Sequence, residues 1–162
     1  PYRAGMKVAL LDRGLPTTSA QTSPWLLPGA KTLSYAVNMA AVREAKRRGA
    51  ADVLFVASDG YVLEGPTSTL LVRRGDEFLT TPVSAGVLAG TSVRSLSDHL
   101  EAERGTGVRE QLMTIEDVTG SDGAWLLSST RLAAPITHLD EAELPVDRAL
   151  TARFQQVLTG AI

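Results

Sequence analysis

Three residue types in this chain are able to do chemistry beyond holding a fold: a lysine, a glutamate and two hydroxyl clusters. Lysine is rare, occurring only at Lys7, Lys31 and Lys46. Lys46 belongs to the basic end of the first helix and Lys7 precedes a strand, which are ordinary solvent-facing positions. Lys31 differs, because it sits in PWLLPGAKTLSY, with Trp25, Leu26 and Leu27 before it and Leu33 and Tyr35 after it. Apolar neighbours that desolvate a lysine favour its neutral amine, the form a nucleophile needs. The same segment also suits a lysine at a strand end, with its stem packed and its ammonium in water. Glu64 precedes Gly65-Pro66 and reads either as a working carboxylate or as a solvated turn residue. Thr91 and Ser92 open a helix, where such hydroxyls commonly act as caps, and Ser128-Ser129-Thr130 follows the run AWLL.

Other chemistries do not assemble. There are no cysteines, which removes disulfides and thiolate reactions. His99 and His138 stand among acidic neighbours without metal-ligand spacing and read as surface residues, so no metal site is expected. The sequence lacks G-x-S-x-G, G-x-G-x-x-G and a P-loop. A formal charge of -2 gives no electrostatic reason to expect nucleic acid or an anionic membrane as partner. No apolar run is long enough to span a bilayer.

The elements that must position these residues alternate between two periods. Residues 6–12 form a buried strand, and residues 14–29, rich in Thr, Ser, Pro and Gly, an irregular connection. Residues 35–48 form an amphipathic helix ended by Lys46, Arg47, Arg48 and a left-handed Gly49. Short strands are expected at 53–57, 61–64, 68–73 and 78–81, separated by turns, as an antiparallel meander. A helix follows from Thr91 or Ser92 to about Glu103, then strands at 111–115 and 125–128 with a short acidic helix from Ile115 between them. Residues 146–158 close the chain as an amphipathic helix, while Asp140, Glu141 and Glu143 make a solvated acidic loop. The order is α+β in one domain. A chain of 162 residues opening on Pro1-Tyr2-Arg3, without an initiator Met, reads as a segment of a longer protein.

Taken together, P-W-x-x-x-G-x-K-T-L-S-Y, the helix, VLFVASDGYVLEGPTSTLLV and TPVSAGVLAGTS resemble the class IV aminotransferases, from about Lys7 to about Leu139. That family includes branched-chain and D-amino-acid aminotransferases and aminodeoxychorismate lyases. The resemblance implies a large C-terminal, cofactor-binding domain over 1–162, with a mixed, mostly antiparallel sheet forming a pseudo-barrel flanked by helices. It implies pyridoxal 5'-phosphate as cofactor, Lys31 as the Schiff-base lysine and Glu64 as partner of the pyridine nitrogen. Tyr35 falls near the tyrosine that bonds the phenolic oxygen; otherwise it is an aromatic staple for the helix. Leu88 matches the residue packing on a ring face, Gly90-Thr91-Ser92 the phosphate turn, and Thr130 a further phosphate contact. The chain departs at Thr69, where the family often has Asn, and at Ala89, where Pro is common.

LAGTS and SSTRLAAPI resemble segments of lyase-like members, which favours conversion of 4-amino-4-deoxychorismate to 4-aminobenzoate and pyruvate, with Arg131 meeting a substrate carboxylate or else lying on the surface. A branched-chain or D-amino-acid transaminase is the alternative. A reading of another class is a cofactor-binding fragment without catalytic competence, lacking the smaller N-terminal domain that supplies a phosphate-binding arginine and part of the pocket. The family further implies a cytoplasmic homodimer and a small amino substrate.

Overall fold

The computed structural model describes residues 4–162, so the opening Pro1-Tyr2-Arg3 reading lies outside the described residues. The first β-α-β unit runs β1 (Met6–Asp12), a one-turn α1 (Ser19–Thr22), α2 (Ala36–Arg47) and β2 (Asp52–Val56). Strands β1 and β2 pair in parallel, which requires a crossover, and α2 provides it. The helix stops where its sequence says it must. Gly49 has φ 75, and Ala50 N–H returns to Ala45 O at 2.9 Å while Gly49 N–H reaches Lys46 O at 3.0 Å, a left-handed cap that satisfies the last carbonyls.

The rest of the sheet is β3 (Thr69–Arg74), β4 (Glu77–Thr80), β5 (Val108–Glu110), β6 (Gly123–Ser128), β7 (Leu132–Leu139) and a short β8 (Ala142–Glu143). Helix α3 (Thr91–Arg104) lies between β4 and β5, α4 (Ile115–Thr119) precedes β6, and α5 (Arg148–Thr159) ends the chain. The strand order is β2-β1-β7-β6-β3-β4-β5, with β8 on β7. The β3/β4, β3/β6, β6/β7 and β7/β8 pairs are antiparallel; β1/β2, β1/β7 and β4/β5 are parallel.

The ends of this path meet. Gln111 N–H donates to Thr80 O at 2.9 Å, Val62 N–H to Met113 O at 2.9 Å, and Phe55 N–H to Glu64 O at 2.9 Å. Residues 61–64 thus bridge the strand beyond β5 to β2, closing a pseudo-barrel. Burial on both faces explains the continuous apolar runs. Val8, Leu54, Val62, Leu70, Val72, Leu126 and Ile136 share the interior. Their neighbours Ala9, Val53, Phe55 and Leu63 face α2 instead. On the other side Leu71, Trp125 and Leu127 pack against α3 and α5 through Leu96, Leu100 and Phe154.

The expected meander is corrected. The 61–64 run returns against β2, but β3 does not follow it; β3 crosses to lie between β4 and β6. Residues 61–64 make only isolated bridges. The strand expected at 111–115 lies earlier, at β5, because Thr114 is spent on capping α4: its hydroxyl accepts from Asp117 N–H. The 8-residue β7 and short β8 were not expected at all. Pro135 is tolerated within β7 because pairing with β1 begins only at Ile136.

Candidate functional site

A large cavity opens among the described residues, with a volume of about 910 Å³. Lys31, Tyr35, Glu64, Leu88, Thr91, Ser92, Thr130 and Arg131 all line it. Segments more than 90 residues apart in sequence therefore converge on one space. Two close backbone approaches set its geometry. Gly29, at φ 75, lies so close to the 86–88 turn that a Cβ there would sit 2.7 Å from Val87 O. Gly86, at φ 83, would place a Cβ 2.9 Å from that of Pro28. Lys31 is two residues beyond this clamp.

The surroundings of Lys31 decide between its two local readings, in favour of an ammonium in water. Its apolar neighbours do not desolvate it: Trp25 is 73% exposed, Leu33 100%, and Leu26 and Leu27 are more than half exposed. Lys31 itself is exposed. The physical reason is that residues 23–37 lie over the cavity mouth, where nothing described covers them. Helix α2 shares this face: Ala41 and Ala45 are buried, but Val37 and Met39 stay exposed.

Glu64 is the most perturbed group in the cavity. Burial pushes its carboxyl up to about 7, against the opposing pull of the Leu88 N–H and the Arg13 charge. The Leu88 N–H donates to Glu64 Oε2 at 3.1 Å. Arg13 also lines the cavity, and sequence reasoning passed it over. Its guanidinium donates to Asn38 Oδ1 at 3.2 Å and lies 4.7 Å from the Phe55 ring centre. Asn38 in turn donates to Pro66 O at 2.6 Å, tying α2 to the turn after Glu64. No motif flagged Arg13; its place one residue beyond a buried strand was the available signal.

Helix α3 begins with Gly90 as its N-cap and no side-chain cap. Thr91 and Ser92 therefore stand in the first turn rather than capping it, beside the N–H groups that make a helix start an anion site. The side chain of Thr69 packs directly over Gly90 Cα, leaving no room for a Cβ there. Across the cavity, Ser128 Oγ accepts from Arg131 N–H at 3.1 Å and lies 3.4 Å from Thr130 Oγ1. Arg131 is not a plain surface residue: its guanidinium is ion-paired with Asp52, whose side chain is 0% exposed. Among the described residues no cluster of His, Asp and Glu suited to a metal ion occurs, and no described helix is long and apolar enough to cross a membrane.

The chain as a whole matches a known family. The family model for amino-transferase class IV matches residues 2–139, and the chain belongs to that family, whose enzymes depend on pyridoxal phosphate. It is 44% identical over 150 residues to the bifunctional aminodeoxychorismate lyase / D-amino acid transaminase of Mycobacterium tuberculosis, covering 88% of this chain and 52% of that protein. Among solved structures it resembles the fold IV-transaminase CpuTA1 from Curtobacterium pusillum, with TM-score 0.93, 48% identity, and coverage of 99% of this chain and 54% of that one. A hypothetical aminotransferase from Mycobacterium tuberculosis in its PLP-bound form matches with TM-score 0.91 and 41% identity, over 99% of this chain and 57% of that one. The chain thus spans about half the length of the relatives it matches.

Proposed function

We propose that this chain is the cofactor-binding part of a pyridoxal-phosphate enzyme acting on a small amino substrate, and that its reaction is the lyase conversion of 4-amino-4-deoxychorismate to 4-aminobenzoate and pyruvate. The observation carrying this reading is the meeting of Lys31, Glu64 and the α3 N-terminus around one cavity. An amine, a carboxyl group and a helix start are the donor set required by a ligand that is an aldehyde, a nitrogen heterocycle and a phosphate at once. When bound, the cofactor supplies an electron sink for the substrate carbon that bears the amine.

Each residue then has a task. Lys31 would hold the cofactor through its amine and, once the substrate amine has displaced it, the freed amine would take the proton from the substrate carbon. Glu64 in its ionised form pairs with a protonated ring nitrogen, and such a cation would draw its pKa back down. Thr91, Ser92 and the first N–H groups of α3 would hold the phosphate, with Thr130 a further contact from across the cavity. Leu88 would cover a ring face, Tyr35 would donate toward the phenolic oxygen, and Arg131 would receive a substrate carboxylate. A second segment like that of the longer relatives would cover Leu26 and Leu27 and exclude water. A cytoplasmic homodimer belongs to the same reading.

Incubation with pyridoxal phosphate, borohydride reduction and peptide mapping test the core. The expected label is on Lys31; a label on Lys7 or Lys46 would refute it. D-amino-acid transamination is the second reading, favoured by the double name of the 44%-identical relative. The two differ in their need for an acceptor. Pyruvate release from aminodeoxychorismate by the full-length protein without a keto acid supports the lyase, and dependence on a keto acid supports the transaminase. If the 162-residue chain takes up no pyridoxal phosphate, the incompetent-fragment reading holds for it.

A further inference from the structure

Asp52 is the one acidic side chain in the described structure with 0% exposure in an ion pair, and it opens β2 on the side that faces the barrel interior. Its neighbour of the same parity, Leu54, belongs to the apolar cluster of the interior. A fold needing no more than closure would place an apolar residue here. Burying a carboxylate is unfavourable, and a buried ion pair is often no more stabilising than apolar groups of like volume. What Asp52 does achieve is specific. One oxygen accepts from Val53 N–H at 2.8 Å, which fixes the carboxyl plane, and the other is ion-paired with the Arg131 guanidinium. Arg131 is held at a second point, by its own N–H on Ser128 Oγ at 3.1 Å. Its side chain is 21% exposed and forms part of the cavity wall.

We propose that Asp52 is a positioning residue, which anchors Arg131 from below so that the guanidinium presents an oxyanion-binding edge to the cavity. A long arginine side chain loses much rotamer freedom on binding a ligand. Anchoring by a buried carboxylate removes most of that loss beforehand, as preorganisation does generally. The oxyanion is either a carboxylate of the substrate or the phosphate of the cofactor, and a planar guanidinium suits both. This rests on the cavity being the ligand site, as proposed above.

The test is calorimetric titration of the 162-residue chain, without cofactor, using succinate and inorganic phosphate as separate probes. Asp52→Asn and Arg131→Met are each expected to weaken one probe about tenfold, and the double variant no further. Weakening confined to succinate assigns the site to substrate; weakening confined to phosphate assigns it to cofactor. Binding of both probes within twofold of wild type in folded Asp52→Asn overturns the proposal, as does a double variant whose losses add. Because Asp52→Asn can fail to fold, the apolar pair Asp52→Leu with Arg131→Met provides a second reading. It is expected to melt at or above the wild-type temperature while losing the same probe tenfold; a lower melting temperature with probe binding retained would mean a purely structural pair. The borohydride label on Lys31 is independent of these titrations, so failure of the cofactor reading and failure of this one are told apart.

Discussion

The Leu88 backbone N–H donates to Glu64 Oε2 at 3.1 Å, so the turn before α3 and the turn after 61–64 meet through one carboxyl group. That carboxyl is raised from its ordinary 4.5 to about 7 by burial. The sign follows directly. Below about pH 4.5 the group is protonated in both states, and between about 4.5 and 7 the folded state keeps a proton that the unfolded chain has released. Stability attributable to Glu64 therefore falls as pH rises through this window, by roughly 3 kcal/mol in all, and is level above it. Glu64→Gln removes the titration. Urea unfolding at pH 5 and pH 8 should show the variant gaining on wild type at the higher pH; an equal difference at both would contradict the assignment.

Arg13 opposes this rise, since its charge lowers the Glu64 pKa. Arg13→Met removes the charge and keeps a long apolar stem over Phe55. The Glu64 carboxyl should then titrate at a higher pH than in wild type, followed by carbon-13 NMR of the glutamate carboxyl signals. An unchanged midpoint would mean that Arg13 serves only Asn38 and Phe55.

Much of this site was legible because its local rules are strict. The α2 stop at Gly49 and the start of α3 after Gly90 follow from end chemistry that involves few residues. The resemblance brought Lys31, Glu64 and Thr130 together before any distance was available. Pairing partners were less accessible. The residues of β1 and β3 look alike, yet β1 has parallel neighbours and β3 antiparallel ones; strand composition does not encode which strand lies alongside. Pro135 hid β7, since a proline argues against a central strand unless a partner is missing on its side. The apolar run around Lys31 left two readings open for a related reason. Hydrophobic sequence reports a tendency to be covered, while Trp25 and Leu33 are uncovered here.

The clamp that places Lys31 gives a contrast between two glycines. Gly29 and Gly49 both have φ 75, but a Cβ at Gly49 meets nothing within 4 Å, whereas at Gly29 it would lie 2.7 Å from Val87 O. Gly49→Ala should cost about 1 kcal/mol for left-handed backbone alone. Gly29→Ala should cost about 3 kcal/mol, because a carbonyl fixed in the neighbouring turn has no rotamer by which to yield. Denaturant midpoints measure both; equal losses would show that the approach to Val87 is not tight.

A last prediction concerns the support behind the cavity wall. Trp125, fully buried on β6, donates its indole N–H to Thr151 Oγ1 at 2.8 Å, and Thr151 donates onward to Asp147 O at 2.7 Å. This bond fastens α5 to the strand that ends at Ser128, beside Thr130 and Arg131. Thr151→Val keeps the shape but leaves a buried indole donor unpaired, at a cost of about 1–3 kcal/mol. Thr151→Ser keeps the hydroxyl and should lose less. Urea unfolding ranks the two variants, and hydrogen exchange of the indole proton reports the bond itself. If Thr151→Ser destabilises more than Thr151→Val, packing of the methyl group, and not the hydrogen bond, is what holds α5 in place.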